Sequence, residues 1–159
     1  MAYGSAKQPS LPGSSGGPWY APKSSGSEGG GLIYLVARGN ITLNGTLRAD
    51  GYSGWTAGGA NGSGGGSGGG IYLACRTLLG TNGFLTANGG AGTNQLTSSG
   101  GGGGGGRIAI WRMYDQSDTN KWLIQVNGGV AGATGGSPGS NGTIYWGQFP
   151  PPGTVIILK

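Results

Sequence analysis

Two stretches of this chain superimpose without a gap at an offset of 38 residues. Residues 33–51 read IYLVARGNITLNGTLRADG and residues 71–89 read IYLACRTLLGTNGFLTANG. Nine of the 19 aligned pairs are identical: Ile33/Ile71, Tyr34/Tyr72, Leu35/Leu73, Arg38/Arg76, Asn44/Asn82, Gly45/Gly83, Leu47/Leu85, Ala49/Ala87 and Gly51/Gly89. A regular repeat of this length implies stacked or symmetric supersecondary units, each unable to bury its apolar face alone. The pattern continues in weaker form. RIAIW at 107–111 follows a glycine run as IYLAC does, LIQVNGG at 123–129 matches FLTANGG at 84–90, and GTIYW at 142–146 is a further partial start. Between them WRMYDQSDTNKW replaces the middle of a unit, and 111–122 is the one stretch that could hold a turn of helix.

Within a unit, LIYLVA (32–37) is an apolar run rich in β-branched and aromatic residues, as expected of a strand buried on both faces. ITLNGTLRA (41–49) alternates around Asn44-Gly45, a hairpin or tight-turn signal that recurs at Asn82-Gly83. Each unit therefore reads as strand, strand, tight turn, strand and glycine loop. The expected fold is all-β: a glycine-rich repeat protein of about three 38-residue units, either β-solenoid (β-helix-like) or pseudo-threefold β-prism-like. The sequence divides into an extended N-terminal arm (1–31), the glycine-rich repeat domain (32–149), and a proline bracket with a buried C-terminal strand, TVIIL (150–159).

Glycine supplies 42 of the 159 residues, concentrated at 51–70, 89–106 and 128–142. Two readings of these runs stand side by side. They are flexible linkers, or they are extended glycine strands packed so closely that no Cβ fits between them, on the logic of the collagen axis.

The residue inventory narrows the function. The chain has no histidine, which removes the commonest general base and metal ligand. Of its four acids only Asp115 and Asp118 are neighbours, and they read as a solvated loop rather than a carboxylate pair or calcium site. Gly100 to Gly106 precede Arg107 and a strand, so they are not a phosphate loop. No catalytic residue, cofactor or metal ligand is expected, and the chain reads as non-enzymatic. The net charge of +5 comes from scattered basic residues without a stripe, which argues against nucleic acid. Cys75 takes the place of Ala37 and reads as small, buried and unreactive. No segment reaches the ~20 apolar residues of a membrane span, and the N-terminal residues show no signal-peptide pattern.

The aromatic residues carry the remaining signal. Tyr52 and Trp55 lie in a glycine loop, YSGWTAGG, with no counterpart in the second unit, and are candidates for glycan or partner contact. Trp19 and Tyr20 in the arm, and Tyr145, Trp146 and Phe149 before the prolines, are candidate assembly anchors.

The motif GGG-IYL-x2-R … NG-x-L-x-A-x-G, followed by GGGGGGRIAIW, resembles the glycine-rich β repeats of phage tail fibres, other virion surface proteins and long bacterial surface proteins. That resemblance implies a structural protein on the outer surface of a bacteriophage virion, as a capsid decoration (cement) or tail-fibre component anchored by its N-terminal arm. Virion release by lysis needs no secretion signal. The implied partners are other virion proteins and further copies of the chain, with a trimer favoured because glycine strands suit a crowded symmetry axis. A host-glycan-binding adhesin and a bacterial cell-surface or matrix protein are the alternatives.

Overall fold

The computed structural model describes residues 4–18, 26–55, 62–95 and 98–153. Seven strands occur among them: β1 (Leu32–Thr42), β2 (Thr46–Arg48), β3 (Gly70–Leu79), β4 (Phe84–Thr86), β5 (Arg107–Asp115), β6 (Leu123–Gln125) and β7 (Thr143–Gln148). A single 3-10 turn at Thr119–Lys121 is the helical element of the 111–122 stretch. The strands form two sheets, β1-β3-β5-β7 and β2-β4-β6. Every pairing is parallel. The register sets Ile33 beside Ile71, Ile71 beside Ile108 and Ile108 beside Ile144.

Strand periodicity builds the core between the two sheets. Ile71, Leu73 and Cys75 of β3, with Ile108 and Ile110 of β5, pack against Leu85, Ala87, Trp122 and Val126. The intervening Tyr72, Ala74 and Ala109 point to the other face, where Trp111, Tyr145 and Phe149 cover them. β3 is therefore buried on both faces. β1 is not: as the outermost strand it is largely exposed, which corrects the expectation for LIYLVA.

The described parts of the glycine runs are held by hydrogen bonds to neighbouring segments, and they are not strands. Gly62, Gly65 and Gly68 donate to the carbonyls of Ser98, Gly101 and Gly104. Gly66 and Gly69 donate to Tyr52 and Ala49, while Gly64 and Ser67 donate to Gly17 and Ser14. One segment thus addresses three neighbours on three faces, and each face recurs every third residue. The next segment repeats this: Ser99, Gly102 and Gly105 donate to Thr134, Ser137 and Ser140, and Gly100, Gly103 and Gly106 to Thr93, Gly90 and Ala87. A period of three with bonds only to neighbours is polyproline II geometry, whose helix has three residues per turn and no internal hydrogen bonds. The segments pack as a lattice of such helices.

Only glycine permits the spacing. A Cβ on Gly66, Gly103 or Gly139 would lie closer than 3.0 Å to the carbonyl oxygen of Glu28, Gly66 or Gly103 respectively. The described parts of the runs are therefore closely packed and not linkers, but as threefold helices instead of the extended strands expected. The crowding lies within one chain, so no symmetry axis between subunits is needed to explain it.

Two expectations are corrected here. The chain is neither a β-solenoid nor a pseudo-threefold prism. It has two parallel sheets of unequal strand length, not three equivalent ones, and its glycine half is built of threefold helices instead of strand ladders. The hairpin at Asn44-Gly45 is also absent: β1 and β2 belong to different sheets. Neither Asn44 nor Gly45 has positive φ, as a type I′ turn would require. Asn44 instead accepts a hydrogen bond from the Thr81 amide at 2.8 Å, tying one turn to the next.

Candidate functional site

The first candidate surface is the loop after β2. Asp50 is its organising residue. One carboxylate oxygen accepts from Arg48 Nε at 2.6 Å and Thr86 Oγ1 at 3.0 Å, and the other from the Asn88 amide at 2.6 Å. Asn88 repeats the role one layer on, accepting from the Asn127 amide at 2.8 Å. Downstream the main chain stays fixed. Tyr52 donates its amide to Glu28 and accepts from Gly66, both at 2.9 Å. Trp55 is clamped at both ends of its peptide unit by one hydroxyl: the Trp55 amide donates to Ser63 Oγ at 2.7 Å, and Ser63 Oγ donates to the Trp55 carbonyl at 2.8 Å.

With their backbones held, the two rings face solvent, Tyr52 being 67% and Trp55 63% exposed. This is costly apolar exposure on a rigid support, the arrangement by which an aromatic ring offers a flat binding face at low entropic cost. Beside Tyr52 lies an open cavity of about 350 Å³ with a floor of Gly29, Gly31 and Gly51 and a wall carrying Arg48 and Asp50.

The second surface is the outer face of the long sheet. Tyr34 and Tyr72 stack with ring centroids 4.6 Å apart. Trp111 lies 5.4 Å from Tyr145 and 5.2 Å from Phe149. Gly147 opposes Trp111 in the register, and a Cβ there would collide with the indole, so this glycine makes the room in which Trp111 lies flat. The N-terminal arm crosses the same face. The indole N–H of Trp111 donates to the Lys7 carbonyl at 2.7 Å, Gln8 donates to the Tyr34 hydroxyl at 3.1 Å, and the Lys7 ammonium sits 5.6 Å from the Tyr145 ring. Further along, Gly13 and Gly16 bond to Gly30 and Ser27. The described part of the arm thus lies on its own chain.

Of the five candidate anchors, Tyr145 and Phe149 are half-buried in this intramolecular cluster. Trp146 is on the β7 edge with the Arg112 guanidinium 4.8 Å over its ring. Trp19 and Tyr20 lie outside the described residues, as does the TVIIL strand expected at the C-terminus.

The acidic loop is not a paired-carboxylate site. Asp115 accepts from Arg112 Nε at 3.0 Å and from the Ser117 hydroxyl at 2.6 Å. Asp118 pairs with Lys121 at 2.8 Å. Burial works to raise the Asp115 pKa, but the Ser117 hydroxyl and amide and the Arg112 guanidinium outweigh it and hold the carboxyl below its ordinary value. A carboxylate depressed in the folded state stabilises above its unfolded pKa of about 3.9, and that contribution is lost as pH falls through the lower folded value. Solvent screening keeps it small. Asp115→Asn is expected to cost on the order of 1 kcal/mol at pH 7 and nothing measurable near pH 2. Urea unfolding of both proteins at the two pH values checks this, and an equal difference at both would sink it.

Burial likewise pushes the Cys75 thiol up, which disfavours the nucleophilic thiolate. Among the described residues no group of three or more His, Cys, Asp or Glu side chains could hold a metal ion. No helix there is long and apolar enough to cross a membrane.

The chain matches no known family model, no curated protein and no solved structure. Function must therefore be read from the surfaces themselves. Sequence reasoning singled out Tyr52 and Trp55 by their glycine surroundings. It missed Asp50, whose only signal was Asn88 at the same place 38 residues on.

Proposed function

We propose that this chain is a non-enzymatic structural module of an outer biological surface, a bacteriophage virion being the favoured setting. The observation that carries the reading is the glycine lattice. Its backbone amides bond to neighbouring segments on several faces, and at glycines such as Gly66, Gly103 and Gly139 its spacing leaves no room for a Cβ. Such a body is stiff, weakly charged and poor in protease-accessible side chains, properties suited to a cement protein or a fibre element. The same economy of ionisable groups leaves little with which to run chemistry. Partners are then other virion proteins and further copies of the chain. Quantitative mass spectrometry of purified particles tests the setting. Hundreds of copies per particle indicate a capsid decoration, a few copies a tail component, and absence from particles overturns the virion reading in favour of a cell-surface or matrix role.

A second reading, an adhesin for a host-surface glycan, is favoured by one specific observation: Trp55 and Tyr52 present exposed rings on a clamped backbone. Sugar rings stack on such faces through their apolar C–H surfaces. If this reading holds, Trp55→Ala reduces glycan-array binding at least about tenfold, the loss of a single aromatic anchor, while thermal unfolding stays within a degree or two. Binding that survives the substitution removes the adhesin reading.

A further inference from the structure

The N-terminal arm does more than lie on the body: residues 13–17 fill a place in its lattice. Gly13 and Gly16 donate their amides to the carbonyls of Gly30 and Ser27, and Ser14 and Gly17 accept from the amides of Ser67 and Gly64. Donors three apart and acceptors three apart are the period of the other threefold segments. Four main-chain groups of the body therefore make the seat, two carbonyls from one layer and two amides from the next. The arm runs antiparallel to both layers.

The register places the same four groups one layer further on. Leu32 pairs with Gly70 and Gly70 with Arg107. Ser27 and Gly30 thus correspond to Gly65 and Gly68, and Gly64 and Ser67 to Gly101 and Gly104. The lattice bonds agree, since Gly30 donates to Ser67 as Gly68 does to Gly104. In this second seat neither carbonyl and neither amide has a hydrogen-bond partner among the described residues. Gly65 and Gly68 are buried, and buried main-chain groups are nearly always paired. A cavity of about 280 Å³ adjoins the seat, lined by Pro12 and Gly13 of the arm together with Gly68, Gly104 and Ser140. The pattern recurs once more, with the carbonyls of Gly102 and Gly105 and the amides of Ser137 and Ser140 again unpartnered among the described residues.

The filled seat defines what fits an open one. A Cβ on Gly13 or Gly16 would lie closer than 3.0 Å to the carbonyl oxygens of Ser67 and Gly64. Both donor residues must therefore be glycine. The two residues between them, Ser14 and Ser15, carry side chains that the seat accepts. The arm is committed to the first seat, so another polypeptide must supply the occupant of the second. We infer that this face is a docking surface for a polyproline II segment of a partner protein, bearing Gly-x-x-Gly and running antiparallel to residues 101–104. Its two glycine amides donate to Gly68 and Gly65, and the carbonyls of the residues that follow them accept from Gly104 and Gly101. Recognition is by main chain, with glycine spacing as the specificity. This goes beyond the proposed surface role and does not depend on it.

The test is a titration of the isotope-labelled full chain with a synthetic peptide of residues 9–18, PSLPGSSGGP, followed through the amide resonances by NMR. Saturable shifts are expected at the Gly101 and Gly104 amides. None is expected at Gly103 or Gly106, whose amides are already bonded to Gly90 and Ala87. The peptide with Gly13→Ala and Gly16→Ala binds at least about tenfold more weakly because its methyl groups meet fixed carbonyls, and the peptide with Ser15→Ala binds like the parent. In the chain itself, Gly104→Leu fills the seat. Its counterpart Ser67 directs its hydroxyl at the Ser14 amide, 2.7 Å away. A new Cβ at 104 meets nothing nearer than the Ser140 carbonyl oxygen at 3.8 Å. This variant also weakens binding at least about tenfold, and unchanged core resonances show that it is folded. No shift at Gly101 and Gly104 up to millimolar peptide overturns the proposal. Shifts at Gly64 and Ser67 in their place overturn it by showing exchange with the arm. Equal binding of the alanine peptide overturns the glycine rule and the seat with it. Concentration-dependent shifts of Gly101 and Gly104 in the chain alone overturn the partner in favour of a second copy's arm.

Discussion

Gly103→Ala is expected to prevent folding, and Gly104→Ala, one residue away, to leave stability unchanged or slightly raised. The two glycines share a segment, a run and a composition. They differ in what surrounds them. Gly103 donates to Gly90, and its carbonyl accepts from Gly129. A Cβ there would come closer than 3.0 Å to the carbonyl oxygens of Gly66 and Gly65. Those atoms are main chain, and their segment is fixed by lattice bonds: the Gly66 carbonyl accepts from Gly90 and the Gly65 amide donates to Gly101. No rotamer relieves the collision. Extra atoms in an ordinary core cost about 1–3 kcal/mol because side chains yield. Here separating the segments also breaks hydrogen bonds on several faces, each worth on the order of 1 kcal/mol net. A loss of about 5 kcal/mol or more follows, comparable with the whole stability of a small domain. At Gly104 the nearest atom to a new Cβ is the Ser140 carbonyl oxygen at 3.8 Å, an ordinary contact. Alanine accepts the extended backbone and restricts the unfolded chain, a gain of up to about 1 kcal/mol. Chemical denaturation of the two variants beside the parent measures both effects. Equal behaviour of the two would mean that the glycine runs are not packed as described.

Much of the strand content was legible, because Ile, Leu, Val, Tyr and Trp are concentrated where strands form. The starts of β3 and β5 coincide with IYLAC and RIAIW. The direction of pairing was not. Asn-Gly flanked by alternating residues points to a hairpin on local grounds, but here each Asn-Gly separates strands of different sheets. The side chain of Asn44 bonds to the next layer, a long-range partner that no local pattern reveals. The glycine runs were ambiguous for a related reason. A linker and a close-packed threefold helix have the same composition, and what separates them is whether a neighbour exists on each face. Tyr52 and Trp55 were found because large aromatics amid glycine are conspicuous. The clamp on the Trp55 main chain depends on Ser63, which nothing in a serine-rich loop distinguishes from its neighbours.

The second large effect concerns one leucine pair. Leu35 and Leu73 are identical residues at the same register of adjacent strands, and Leu73→Ala is expected to cost about 3 kcal/mol more than Leu35→Ala. Leu73 is fully buried among Ile71, Ile108, Ile110 and Leu85 in the core between the sheets. Removing its isopropyl end leaves a void ringed by strands whose ladders hold them in place. Leu-to-Ala changes at such sites cost about 2–5 kcal/mol, most where the surroundings cannot collapse. Leu35 lies on the open edge and is exposed over nearly half its surface. Its truncation removes apolar area already in water and leaves no enclosed cavity, so the cost in the single chain stays near 1 kcal/mol. The comparison holds residue type and strand position fixed and varies only the presence of an outer neighbour. It therefore measures what a further strand on β1 would supply. A cost at Leu35 that rises with protein concentration towards the cost at Leu73 would show that edge being covered by another copy. A constant small cost would show it remaining open.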